Sequence, residues 1–169
     1  MPVTVYAVDP EDKATSIRFD IWAWHALWTY FEEMQPDFAC VIPYNQIGEA
    51  LDAEEAAILS ERLYADIGTG AAEEYVIQRR TLLKAMPDIT CHMCDGLGTR
   101  TDEVGHDLMM PEKDLEPEQA VKLGRARGWC NVCRGHGSLF AFDKAHDLTV
   151  TDIAQFADFC LTSGGIFLY

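Results

Sequence analysis

The chain has no apolar run approaching the ~18–20 residues that a membrane-spanning helix needs, which sets the expectation of a soluble, cytoplasmic protein with no membrane partner. It is equally short of catalytic signatures. No glycine-rich loop precedes a Lys-Ser or Lys-Thr pair, and there is no G-x-S-x-G elbow and no His-Glu-x-x-His. The common phosphate-cradling, serine-nucleophile and zinc-protease motifs are therefore excluded. None of the five histidines begins a His-x-Glu, and neither C-x-x-C follows proline, so the zinc-deaminase signature is missing too. Positive charge is scarce: 13 Lys and Arg stand against 28 Asp and Glu, for a formal net charge of -15. Acidic residues this abundant do not single out a glycosidase pair.

What the chain does have is one internal repeat. Cys91-His92-Met93-Cys94-Asp95-Gly96-Leu97-Gly98 and Cys130-Asn131-Val132-Cys133-Arg134-Gly135-His136-Gly137 both read C-x-x-C-x-G-x-G. Two C-x-x-C pairs are the usual sequence form of a tetrahedral four-cysteine zinc site, with Cys91, Cys94, Cys130 and Cys133 as ligands. The glycines supply the positive φ that a tight metal-binding turn demands, and such a turn aims backbone N–H groups at the thiolates. A redox C-x-x-C would open a helix, whereas each pair here runs into Gly-x-Gly. Met1 to Tyr6 reads as a short strand and not as a signal segment, so an oxidising compartment is not indicated. Disulfides and an iron–sulfur site are the remaining readings. Cys40 and Cys160 sit in apolar sequence and read as core residues.

The C-x-x-C-x-G-x-G unit resembles the repeat of the cysteine-rich domain in DnaJ-type chaperones and in the small bacterial protein anti-TRAP. The DnaJ-type domain has four units and two zincs; this chain has two units, enough for one zinc, and lacks the His-Pro-Asp of a J-domain. The resemblance covers about 16 residues and implies a zinc knuckle pair. As a whole the chain also resembles a group of small bacterial and phage proteins. They share an aromatic first helix, a central knuckle pair and an ending like Phe156 to Phe167, and that likeness implies no particular activity.

At 169 residues and 49% hydrophobic, the chain can bury one good core without disulfides. A single domain over 1–169 is expected, with the knuckle pair at 88–137 and a mobile insertion at about 99–128. A short strand over Val3–Val8 precedes an aromatic helix that Asp20 caps and Pro36 ends. His25 on that helix reads as a hydrogen-bonded interior residue. Asp52-Ala53-Glu54-Glu55 matches a capping box and opens a helix with Ala56, Leu59, Leu63 and Ile67 inward. A second helix, from about Ala72 to Met86, points Tyr75, Val76, Leu82, Leu83 and Met86 inward, and the two form an αα-hairpin. After the knuckles come a strand-like Leu139–Phe142 and a helix from Thr149 or Thr151 with Ile153, Phe156, Ala157, Cys160 and Leu161 on one face. A last strand covers Ile166–Tyr169. This order predicts α+β: a helical core, a small antiparallel sheet from the chain ends and the post-knuckle strand, and the inserted four-cysteine site.

Charge is unevenly placed. Residues 122–144 carry a local net of +4, from Lys122, Arg125, Arg127, Arg134 and Lys144 against Asp143, while the remainder carries -19. The basic island either balances the doubly negative zinc–thiolate cluster or meets a charged partner. Four cysteines leave a zinc no open position, which predicts one structural zinc, no catalytic residues and no enzyme. The function expected is a protein-binding module, of inhibitor or immunity type, using an acidic face around Glu49, Asp52, Glu54, Glu55 and Glu61. Nucleic-acid binding through the island, with Trp129 stacking, is disfavoured by the overall charge. A thiol-dependent or holdase chaperone accessory is the third reading.

Overall fold

The computed structural model describes residues 2–9, 15–42, 48–98, 130 and 132–168. Among them the architecture is α+β: five α-helices, one 3₁₀ turn and six short strands. The chain falls into two compact units, Met1–Ala85 with Phe142–Tyr169, and Met86–Ala141.

The first unit holds the larger sheet. β1 (Val3–Ala7) pairs with β2 (Ser16–Phe19) on one side and with β6 (Ile166–Leu168) on the other, and β3 (Gly48–Leu51) closes the far edge. All three pairings are antiparallel. Alternation sends Val5, Phe19, Ile166 and Leu168 inward.

Asp20 caps α1 (Ile21–Met34), its carboxylate accepting from the Trp22 and Ala23 backbone N–H groups. Trp24, Ala26, Leu27, Tyr30 and Phe31 of this helix are fully buried. Pro36 starts the short α2 (Pro36–Ala39), which turns the chain at the end of α1. Buried Tyr30 donates to Asp66 at 2.8 Å, and Gln35 donates to the same oxygen at 2.7 Å. Burial, together with that carboxylate, pushes the Tyr30 phenol well above its ordinary range.

α3 (Ala53–Thr69) begins in a full capping box: the Glu55 N–H donates to Asp52 and the Asp52 N–H donates to Glu55. Asp52→Ala should therefore lower stability by about 1 kcal/mol, checked by urea unfolding followed through the helical signal. Gly70, at φ 82°, ends α3 in the left-handed region, and α4 (Ala71–Ala85) starts at once. The hairpin buries Ala56, Leu59, Leu63, Ala72, Tyr75 and Val76. α5 (Val150–Thr162), capped by Thr149 with Asp152, packs along α3, where the buried Ser60 hydroxyl donates to the Ala157 carbonyl. Phe156 of α5 is fully buried, its ring 5.2–6.2 Å from those of Phe19, Trp24 and Phe31.

Several inward assignments differ from expectation. Leu82 is 70% exposed, and Arg79 takes the buried position on α4 instead. Its guanidinium donates to the Asp143 and His146 carbonyls, capping the 3₁₀ turn Phe142–Ala145. Helix periodicity alone does not foresee a buried arginine fixed by carbonyls so distant in sequence. Leu161 is likewise exposed, while Phe159, on the adjoining face, is buried. Cys40 is exposed, because α2 is too short to carry it inward; Cys160 is buried. His25 sits half-buried with its Nε2 2.6 Å from Asp143.

The post-knuckle strand does not join the larger sheet. β5 (Ser138–Leu139) pairs instead with β4 (Ile89–Thr90), in the second unit. The expected strand over 139–142 is cut short because Phe142 already begins the 3₁₀ turn. The expected insertion at about 99–128 and Tyr169 lie outside the described residues.

Candidate metal centre

β4 delivers the chain into the first knuckle and β5 carries it out of the second, so the four-cysteine cluster sits on the open end of a two-stranded ribbon. Cys91, Cys94, Cys130 and Cys133 are all buried, with every Sγ within 4.8 Å of the others. Among the described residues this is the one cluster of metal-ligating groups. Cys91 lies 3.7 Å from Cys130, and Cys94 lies 3.7 Å from Cys133, sulfur to sulfur. A tetrahedron with metal–sulfur distances of about 2.3 Å has edges of about 3.8 Å, whereas a disulfide is about 2.05 Å long. All four thiols are unbridged, and the donor set fits a metal ion.

The two knuckles mirror one another in their hydrogen bonds, each recurring at positions thirty-nine apart. The Cys91 N–H donates to the Gly137 carbonyl at 2.9 Å, and the Cys130 N–H donates to the Gly98 carbonyl at 2.9 Å. The Gly96 N–H donates to the Cys91 carbonyl, and the Gly135 N–H to the Cys130 carbonyl, each at 3.2 Å. Gly98 donates its N–H to the Cys94 sulfur at 3.2 Å, matched by Gly137 to Cys133 at 3.3 Å. These N–H groups stabilise thiolates over thiols.

The same symmetry explains the glycines. Gly98 and Gly137 hold φ of 72° and 76°. A Cβ on Gly98 would run into the Gly135 carbonyl, and one on Gly137 into the Gly96 carbonyl. Each repeat thus needs its last glycine so that the other repeat's backbone can approach. Gly137→Ala is expected to weaken metal affinity at least about tenfold, read by competition with a chromogenic chelator, because strain and a backbone clash act together.

The surroundings of Cys94 and Cys133 push these two thiols in opposite directions. Burial pushes Cys94 up to about 12. Burial opposes ionisation of Cys133 as well, but the Gly137 N–H, the Cys130 thiol and the Gly135 N–H outweigh it and bring Cys133 down to about 7. Burial and the backbone N–H groups thus act against each other within the cluster.

His92 and His136, within the two repeats, are exposed and take no part in the cluster. His146 Nε2 lies 3.6 Å from Asp152 in the first unit, and the neighbouring Asp147 pairs with Arg80. Arg134 is exposed; Lys122, Arg125, Arg127 and Trp129 lie outside the described residues. The periodicities gave no warning of a cavity of about 450 Å³ beside the second knuckle, lined in part by Asp88, Val132, Arg134 and Phe140. A signal was available in Leu139-Phe140 directly after the repeat. Among the described residues no helix is long and apolar enough to cross a membrane. No protein-family model, no curated protein and no solved structure matches the chain.

Proposed function

We propose that the protein is a zinc-stabilised, non-enzymatic protein-binding module with one structural zinc held by Cys91, Cys94, Cys130 and Cys133. One observation carries this reading: a closed set of four buried thiols sits in a unit whose surface exposes Ile89, Met93, Leu97, Val132 and Phe140. Zinc bound there supplies a cross-link between the two knuckles and leaves no position for water. The neighbouring glycine N–H groups spread the thiolate charge. Apolar side chains in such number on a small unit suit contact with another protein. The acidic face of α3, with Asp52, Glu54 and Glu61 exposed, adds a field that speeds encounter with a basic partner.

Native mass spectrometry of the intact chain should find one zinc. Thiol titration should find the four ligands unreactive until a chelator is added, and insulin reduction should show no turnover. Metal-loaded protein that reduces insulin catalytically would move the thiol-exchange reading to first place. Repeated capture from the native host that returns no protein partner counts against the binding role.

A further inference from the structure

Exposed apolar side chains occur in three places, and charge tells them apart. On α4, Ile77 and Leu82 are exposed in company with Glu73, Glu74, Arg80 and Lys84, so neither sign prevails. Those of the knuckle unit share its surface with Asp88, Asp95 and Arg134, which is again mixed. α3 and α5 differ. α5 has no Lys or Arg. The one basic residue of α3, Arg62, is taken up at α2, 3.6 Å from the Asp37 carboxylate and 5.1 Å from the centre of the Phe38 ring. The two helices meet at the buried Ser60–Ala157 hydrogen bond. One turn further along each, Tyr64 and Leu161 stand 40% and 57% exposed. The Tyr64 hydroxyl donates to the exposed Asp158, which ties the ring across the seam between the helices. Ile58, 39% exposed, is flanked along α3 by the exposed Glu54 and Glu61. Each of these three apolar side chains thus has an acid three or four positions away on its own helix: Leu161 has Asp158, Tyr64 has Glu61, and Ile58 has Glu54.

We propose that the α3–α5 face docks a basic amphipathic segment of a protein partner, whose Lys or Arg side chains meet Glu54, Glu61 and Asp158 while its apolar side chains meet Leu161, Tyr64 and Ile58. This rests on the protein-binding reading above and gives its charged contact a surface. Charge complementarity selects the occupant. The local acids and the net charge of -15 act in the same direction on a cationic segment. A nucleic acid, an anionic membrane surface or an acidic peptide meets repulsion from both. A second copy of the chain would set the same acids against each other. The apolar side chains separate docking from mere attraction, because exposed ion pairs alone are screened and contribute little. A tyrosine already held by a hydrogen bond loses little freedom on contact, and that suits it as an anchor.

The test uses fluorescence anisotropy with the zinc-loaded full chain and a labelled peptide of about fourteen residues, Leu and Lys patterned for one apolar helical face. Saturable binding is expected, and a Ser/Lys peptide of the same charge should bind at least about tenfold more weakly. Glu61→Gln with Asp158→Asn keeps the side-chain shapes and the acceptor for Tyr64, and should weaken the Leu/Lys peptide at least about tenfold. Glu73→Gln with Glu74→Gln makes the same change of charge on α4 and should alter binding less than about twofold. Leu161→Gln, at an exposed helical position, should weaken the peptide while leaving zinc content and the urea midpoint unchanged. The surface is wrong if the Leu/Lys peptide does not saturate by about 1 mM, if the Ser/Lys peptide binds equally, or if Leu161→Gln and the α3–α5 pair bind like wild type. It is equally wrong if the α4 pair weakens binding as much as the α3–α5 pair, because net charge alone then suffices. Self-association that Leu161→Gln abolishes, read by sedimentation, overturns it in favour of a second copy. A host protein that binds these variants as it binds wild type sinks this surface alone, whereas capture that returns no protein sinks the reading beneath it.

Discussion

Cys130→Ser is expected to release the metal and melt the knuckle unit while the helical unit stays folded. Among the described residues the knuckle unit's core cluster is the four cysteines, with Leu139 packed against them. Its regular structure among the described residues is one pair of two-residue strands. Ordering a residue costs on the order of 1–2 kcal/mol of backbone entropy, which the apolar burial of these described residues does not offset. Structural zinc contributes roughly 10–16 kcal/mol in small zinc-binding peptides near neutral pH, so its loss dominates. The helical unit has a separate core running from Val5 through Trp24, Leu59 and Phe156 to Leu168. Hydrogen exchange should show protection lost across 88–98 and 132–140 after chelation, with the helical signal retained. Simultaneous loss of both would show that the units fold as one. Lowering the pH acts in the same direction: the Cys94 thiol, which burial holds up at about 12, must lose its proton to bind metal, so affinity falls as pH falls.

Phe156→Ala is expected to do the converse. The ring is fully buried among Phe19, Trp24 and Phe31. Truncating a core phenylalanine costs about 3–5 kcal/mol through lost transfer energy and the cavity left behind. Against a total stability of roughly 5–15 kcal/mol, that removes a large share of what holds the helices to the sheet. Urea unfolding of the helical signal should shift to markedly lower midpoint, while zinc stoichiometry stays at one per folded knuckle unit. Phe156→Leu should recover part of the loss, because it refills most of the volume. A midpoint unmoved by Phe156→Ala would mean that the cluster is not the core of this unit.

The sequence showed most clearly what depends on short-range chemistry. Asp20, the Asp52–Glu55 box and Thr149 announced three helix starts because a cap needs only neighbours three residues away. The four cysteines announced themselves because metal chemistry requires one side-chain type at fixed spacing. What depends on partners far along the chain stayed hidden. Nothing local marks Arg79 as buried, since its acceptors are carbonyls more than sixty residues later. Leu82 and Leu161 match the helical period of their neighbours, yet both are exposed. β5 reads as a strand, but its choice of β4 over the terminal sheet follows from the knuckles holding residues 90 and 138 side by side.

The hydrogen bond from Cys130 to Gly98 has a further consequence for how this chain can vary. It ties together the two points where the segment 99–129 leaves and re-enters the knuckle unit. All four ligands lie outside that segment, and both crossing hydrogen bonds are made by residues bordering the knuckles. Closing a longer or shorter connection changes the entropy only slowly, by about 0.6 kcal/mol for each doubling of length. Changing the number of residues between Gly98 and Cys130 therefore costs the metal site little closure entropy, while its four cysteines and the closing glycines Gly98 and Gly137 are held fixed by ligation and by close backbone approach.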